Sequence, residues 1–275
     1  MILVTGARGN VGSEVVTQVG AGGEVVRALV RAEDARVPDA AQAAVGDLND
    51  PDSLAAALDD VRAVFLLSGY KDMPGLLARI RGAGIERVVL LSGGSAVASS
   101  PDNAISRYMI DSEHAVRTSG LAWTILRPYA FMSNALRWAV QIRKGDVVKV
   151  AFAAVANAVI DPYDIARVAT RALLSDDHDG QVYRLSGPDS LLPANQLATL
   201  GAVLGRDLRL EAQPDAEARA EMANNMPAEY VDAFFSFYVD HTLDESQVLP
   251  AVADITGSPP RSFEQWARVH ADAFR

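Results

Sequence analysis

Ile2-Leu3-Val4-Thr5-Gly6-Ala7-Arg8-Gly9-Asn10-Val11-Gly12 decides how the rest of the chain is read. A short apolar run feeds a loop with glycines at 6, 9 and 12, and a stretch of helical period, Asn10–Val19, opens at once. Each glycine has its own task. Gly6 permits a tight turn, Gly9 lets the backbone approach a pyrophosphate, and Gly12 lets the helix sit close to the strand. The helix N-terminus adds free amides and the positive end of its dipole, a setting suited to phosphate. A glycine triplet alone is weak evidence. Here a strand precedes it and a helix follows, which is the context of a dinucleotide-binding loop; a plain strand–helix turn is the alternative.

Working outward, strand-length apolar runs alternate with longer helical stretches through the first half. The strands are expected at Ile2–Thr5, Glu24–Val30, Gln42–Val45, Ala63–Leu67, Arg87–Leu91 and Trp123–Leu126. Helices are expected at Pro51–Leu58 behind an Asp50 cap, at Met73–Ala83 and at Ser106–Thr118. This alternation predicts an α/β fold, a Rossmann-type doubly wound parallel sheet with a smaller mixed α/β C-terminal substrate lobe. The nucleotide-binding domain is expected over residues 1–134 with 155–185 returning to it, and the substrate lobe over 135–154 and 186–275. Beyond Arg127-Pro128 the expected strands are Val147–Phe152, Gln181–Leu185 and Leu208–Glu211, with helices at Pro162–Leu174 and Pro193–Leu204. Tyr230, Phe234, Phe235, Phe237 and Tyr238 cluster on one further stretch. That stretch is read as a helix packing on the sheet domain, the alternative being that part of it walls a pocket for a flat apolar ligand.

Two later positions refine the nucleotide reading. At the end of the second strand, where an NAD site usually places a carboxylate for the ribose hydroxyls, the chain has Arg31. A planar guanidinium suits a 2′-phosphate, and Arg8 can reach the same group, which favours NADP(H) over NAD(H). The alternative makes Arg31 a solvated loop residue and gives the ribose to Glu33 or Asp34. In Gly46-Asp47-Leu48, Asp47 is suited to accept from an adenine amino group while Leu48 packs on the ring; Asp47 as a turn residue is the bland reading.

Composition narrows the class. The chain has 275 residues, 49% of them hydrophobic and 22% charged, as in an ordinary globular protein. No cysteine is present, which excludes disulfides, thiolate metal sites and a cysteine nucleophile. A formal net charge of -10 argues against a nucleic-acid or anionic-membrane partner. The acidity is uneven: residues 1–140 carry 13 basic and 15 acidic side chains, residues 141–275 carry 12 and 20. The glycine-loop half is therefore the less hostile place for an anion. The longest apolar region, Val147–Ile160, is too short to span a bilayer and is broken by Lys149 and Asn157. A cytoplasmic location, a monomer or homodimer, and a small apolar or aromatic substrate are expected. The four histidines show no metal-ligand spacing and no Gly-x-Ser-x-Gly elbow exists, so no metal site is expected.

Thr5–Gly12, Gly46-Asp47-Leu48, and Ser119-Gly120-Leu121-Ala122-Trp123-Thr124-Ile125-Leu126-Arg127-Pro128 with Phe131-Met132-Ser133-Asn134 resemble the NmrA-like atypical short-chain dehydrogenase/reductases, a group with triphenylmethane-reductase and quinone-oxidoreductase members. The resemblance covers most of the chain and fades after about residue 210. It implies a cofactor site at Gly6, Arg8, Gly9, Asn10, Val11, Gly12, Arg31, Asp47 and Leu48. It adds Ser68, Gly69, Ser92 and Gly93 after the fourth and fifth strands, and Pro128 near the nicotinamide.

The Tyr-x-x-x-Lys pair of standard short-chain reductases does not carry over. In that pair the lysine lowers the tyrosine pKa so that the phenol can deliver a proton. The only lysines are Lys71, Lys144 and Lys149, and none stands four residues after any of the seven tyrosines. Around Ser106-Arg107-Tyr108-Met109-Ile110-Asp111-Ser112-Glu113 the lysine's place is empty of any basic residue. The expected function is an NADPH-dependent reductase passing hydride to a conjugated quinone, dye or polyketide-like ring, which delocalises the developing charge. Tyr108, Ser95 and Tyr129 are the candidate proton donors. A non-catalytic NADP(H) sensor is the alternative, followed by an epimerase, dehydratase or ring-rearranging enzyme on the same scaffold.

Overall fold

The computed structural model describes residues 1–32, 35–100 and 102–275. Its nine strands are β1 (Ile2–Val4), β2 (Val26–Val30), β3 (Ala41–Val45), β4 (Ala63–Leu67), β5 (Arg87–Leu91), β6 (Ala122–Pro128), β7 (Val147–Val150), β8 (Gln181–Leu185) and β9 (Arg209–Ala212). Seven of them make one parallel sheet in the order β3-β2-β1-β4-β5-β6-β8, with Ile2 of β1 opposite Val26 on one side and Ala63 on the other. The strand order reverses between β1 and β4, so a crevice opens there at the carboxyl ends, where doubly wound sheets bind ligands.

The apolar runs are continuous because both faces of this sheet are covered. Alternate residues serve opposite cores. Ile2, Val4, Ala63 and Phe65 face α1 (Asn10–Ala21), whose Val15, Val16 and Val19 are buried with them. Leu3, Val64 and Leu66 face the other way, toward α2 (Ala55–Leu58), α3 (Met73–Gly82) and α4 (Ala104–Thr118). After β6 the chain makes a 3₁₀ segment, Met132–Trp138, and α5 (Ala139–Lys144). It returns along α6 (Pro162–Leu174), which shares the first core with α1. Phe131 and Ile160 stand side by side in a parallel bridge where the chain leaves and re-enters. Then follow α7 (Pro193–Leu204), α8 (Asp215–Ala223), α9 (Ala228–Tyr238), α10 (Ala251–Thr256) and α11 (Phe263–Val269). A third core forms around Trp138, Ile142, Val148, Leu200 and Trp266, beside the two-stranded parallel sheet β7-β9. No helix among the described residues is long and apolar enough to cross a membrane.

Three expectations need correction. The stretch Pro51–Leu58 is not one α-helix: residues Pro51–Leu54 are 3₁₀ and α begins at Ala55. Asp50 does not cap it through its side chain; the Ser53 hydroxyl donates to the Asp50 carbonyl instead. The strand expected over Val147–Phe152 stops at Val150, because Phe152 takes a left-handed conformation with φ 55° that turns the chain. The remaining elements differ from expectation by a few residues at their ends.

Candidate active site

The glycine loop is built as its spacing predicts. Gly6 sits at φ 60°, a backbone conformation that side chains resist. A Cβ on Gly12 would collide with the Gly6 carbonyl oxygen, so only glycine lets α1 come this close to the loop. The N-cap of α1 is Gly9, with no side-chain cap hydrogen bond, so the first turn keeps its amides for another acceptor. These features make a cradle of backbone donors of the kind that suits a diphosphate.

A cavity of about 450 Å³ opens over that cradle. Gly6, Arg8 and Gly9 line it from the loop, Arg31 from the end of β2, and Asp47 and Leu48 from the end of β3. Asp47 does two things: it faces the cavity, and its Oδ1 accepts the Asn49 N–H at 2.9 Å as a turn residue would. Arg8 and Arg31 are exposed and have no acidic partner among the described residues. Glu33 and Asp34, the alternative ribose ligands, lie outside the described residues. Tyr70, which carries no motif, also lines this cavity, and burial raises its pKa.

The other cofactor candidates are placed as follows. Val11 is buried in the core, so only its backbone can face a ligand. Asn10 Nδ2 donates to Ser133 Oγ at 3.1 Å, joining the start of α1 to the 3₁₀ segment after β6. Ser68 and Gly69 follow β4; the Ser68 hydroxyl donates to the Leu91 carbonyl, and the Tyr108 ring rests against Gly69. Ser92 is buried and gives its hydroxyl to Glu113 at 2.7 Å, which in turn pairs with Arg127. Gly93 and Pro128 stand at the ends of β5 and β6.

The three hydroxyl candidates have different surroundings. Tyr108 is half-buried and its pKa is raised by burial. Ser95 is buried on the short 3₁₀ turn Gly94–Val97. Tyr129 is fully buried, accepts from Arg184, and has its pKa raised by burial against the lowering effect of Arg184. Beside it lies a group that no motif announces. Glu245, 6% exposed, accepts the Ala130 N–H on Oε2 at 2.9 Å, and its Oε1 fills the space a Cβ on Gly94 would need. Burial pushes its pKa up to about 7, against the opposing influence of the Ala130 N–H and of Arg184.

A second cavity, of about 190 Å³, lies past the end of β6. Phe131, Asn134 and Arg137 line it from the 3₁₀ segment, Phe152 from the turn after β7, and Phe234 and Tyr238 from α9. The aromatic stretch thus does both things expected of it. Phe235 and Phe237 are buried, while Phe234 and Tyr238 wall a pocket. The Phe152 ring stands 5.2 Å from Phe235, edge to face, and 5.0 Å from Tyr238. Asn103, the N-cap of α4, donates to the Ala233 carbonyl and ties α9 to the sheet domain.

Comparison with known proteins shows what the chain is similar to. A family profile described as NAD(P)H-binding matches residues 6–176. The chain is 37% identical over 279 residues to the (4-alkanoyl-5-oxo-2,5-dihydrofuran-3-yl)methyl phosphate reductase of Streptomyces griseus, covering 100% of this chain and 99% of that protein. It is 35% identical over 284 residues to the NAD(P)H azoreductase of Xenophilus azovorans, with 100% and 99% coverage. Among solved structures, the triphenylmethane reductase of Citrobacter sp. complexed with NADP(H) superposes with a TM-score of 0.77 at 18% identity, covering 98% of this chain and 99% of that one. The NADPH-dependent quinone oxidoreductase of Escherichia coli complexed with NADPH gives 0.76 at 20% identity, covering 97% and 98%. These two share the fold.

Proposed function

We propose that this chain, which belongs to the NAD(P)H-binding atypical short-chain dehydrogenase/reductases and is an NAD(P)H-dependent oxidoreductase, uses NADPH to reduce a compact conjugated electrophile. The observation that carries this reading is a link between the elements that line the two cavities. The Asn10–Ser133 hydrogen bond joins the first turn of the phosphate-facing helix to the segment lining the aromatic pocket. A nucleotide in the first cavity and a flat acceptor in the second are thus held by connected elements. The named relatives are in keeping with an unsaturated acceptor: one acts on a dihydrofuranone with an alkanoyl group and a methyl phosphate, the other is an azoreductase.

The loop amides, with Arg8 and Arg31, would hold the cofactor's phosphates, and Leu48 would pack on its adenine. When bound, the reduced nicotinamide supplies the hydride. The chain's own residues do the rest. Phe152, Phe234 and Tyr238 orient the acceptor and exclude water. A conjugated acceptor spreads its developing charge, so no lysine-activated tyrosine is required. The candidate proton donors are Tyr108, Ser95 and Tyr129, and Glu245 beside Tyr129 joins them as a fourth. A general acid works best with a pKa near the working pH, and Glu245 holds a proton on its carboxyl near neutrality. Burial moves the Tyr108 and Tyr129 hydroxyls the wrong way for donation, and the Tyr129 hydroxyl already accepts from Arg184.

The test is direct. Titrate NADPH and NADH by fluorescence, then follow loss of the nicotinamide absorbance with a panel of quinones and azo dyes. Turnover with NADPH is expected; tight NADPH binding with no oxidation by any acceptor overturns the reading. NADH bound more tightly than NADPH overturns the role given to Arg31.

A further inference from the structure

The aromatic cavity is lined by a cation, Arg137, that makes no ion pair among the described residues. Arg137 lies on the 3₁₀ segment Met132–Trp138, and a 3₁₀ helix has three residues per turn, so side chains three apart share a face. Phe131, Asn134 and Arg137 fall on that face, and all three line the cavity. Among the described residues no carboxylate lies within ion-pair distance of the Arg137 guanidinium; its electrostatic neighbour is the Tyr238 hydroxyl. The residue is exposed in part, and the protein packed beside its guanidinium lowers its pKa by desolvation.

The contrast with its surroundings is informative. Arg206 and Arg219, later in the chain, are each paired with an aspartate, and Arg143 donates to the Ala273 carbonyl. Residues 141–275, which supply the facing wall of the cavity, carry 20 acidic side chains, so carboxylates are plentiful in the sequence. A chain with that acidic excess nonetheless leaves a guanidinium without one, among Phe131, Phe152 and Tyr238. Desolvating a cation there is unfavourable unless something compensates it. A ligand oxyanion does so, because the guanidinium fork matches a carboxylate, sulfonate or phosphate in two parallel hydrogen bonds. Asn134, one 3₁₀ turn earlier, adds an amide donor on the same face.

We propose that the physiological acceptor is a conjugated ring bearing an anionic substituent, and that Arg137 together with Asn134 receives that substituent. The proposal rests on reading the second cavity as the acceptor pocket. It makes Arg137 the specificity residue: the aromatic walls accept the ring, and the arginine selects among rings by charge.

Two measurements test it independently. In the first, purified protein loaded with NADP⁺ is titrated with 8-anilinonaphthalene-1-sulfonate and with its neutral counterpart N-phenyl-1-naphthylamine. Wild type is expected to prefer the sulfonate, and R137Q to lower that affinity ratio about tenfold or more. R137K, which keeps the charge and loses the fork, should retain part of the preference. In the second, kcat/KM with NADPH is compared for 1,4-naphthoquinone-2-sulfonate and 1,4-naphthoquinone; the same ratio should fall in R137Q, chiefly through KM. A ratio that R137Q leaves unmoved, or a wild type that prefers the neutral probe, overturns the proposal. Failure of the reductase reading looks different: the sulfonate preference and its loss in R137Q persist while no acceptor oxidises NADPH.

Discussion

Glu245 shows how much one buried side chain can govern. Its ordinary pKa is 4.5, and burial raises it to about 7. The groups facing it are the Ala130 N–H, Arg184, Asp244, Tyr129 and Tyr238, and only the first two favour the ionised form. The sign follows from linkage. Below about pH 4.5 the carboxyl is protonated whether the chain is folded or not, and it costs nothing. Between 4.5 and 7 the folded state binds the extra proton, so stability falls as pH rises, and above 7 the full cost stands, at most about 3 kcal/mol. Urea denaturation at pH 5 and pH 8 is expected to show E245Q gaining stability relative to wild type at the higher pH. If Glu245 is the proton donor, wild-type kcat declines as pH rises through about 7, and E245Q has a lower kcat with that decline removed. Neither Glu245 nor Arg137 was legible in the sequence. A buried carboxyl is made by the meeting of Gly94, Ala130 and Glu245, which are distant in the chain, and one arginine among 22 carries no local mark of being unpaired.

Helix α9 divides its labour between two faces. Phe235 is 7% exposed, packs edge to face on Phe152, and lies beneath the Arg219 guanidinium at 4.2 Å. Phe234 is half-buried and looks into the second cavity. The substitution F235A should therefore destabilise the protein by about 3 kcal/mol in chemical denaturation. F234A should cost under about 1 kcal/mol in the same assay but raise the KM for an aromatic acceptor severalfold. Equal losses of stability in the two variants would remove the distinction between the faces. The element itself was legible, since its aromatics recur at helical spacing, whereas packing and pocket lining stood as alternatives that one helix turns out to combine. The turn at Phe152 was not. Val147–Phe152 reads as one strand because β-branched residues run up to Val150, and nothing local announces a left-handed phenylalanine. Its rings in contact, Phe235 and Tyr238, come from a helix far along the chain.

At the scale of the whole molecule, charge is distributed against its average. The chain carries a formal -10, yet Arg8 and Arg31 stand over the nucleotide cavity in the nearly balanced half. The global field repels both cofactors, NADPH the more for its extra charge, whereas in the proposed site the two arginines act at close range on the 2′-phosphate that only NADPH has. Raising ionic strength from about 0.01 M to about 1 M shortens the screening length from about 30 Å to about 3 Å. The ratio of NADH to NADPH dissociation constants should then shrink about fivefold while both remain measurable by fluorescence. A ratio indifferent to salt would mean that the arginines do not read the phosphate. The parallel sheet was the most legible feature of all, because strands covered on both faces must be apolar throughout and their helices must repeat between them. The parallel bridge between Phe131 and Ile160 has a consequence for how such a protein can diversify. Met132 N–H donates to the Ile160 carbonyl and Ile160 N–H to the Ala130 carbonyl, both at close to 3 Å, so the excursion between them is stapled at its base. Its ends meet whatever lies between, and changing its length adds little to the entropy of closing it. Residues 132–159 can therefore change length at their exposed turns, while Trp138, Ile142 and Val148 keep the excursion seated on Leu200 and Trp266.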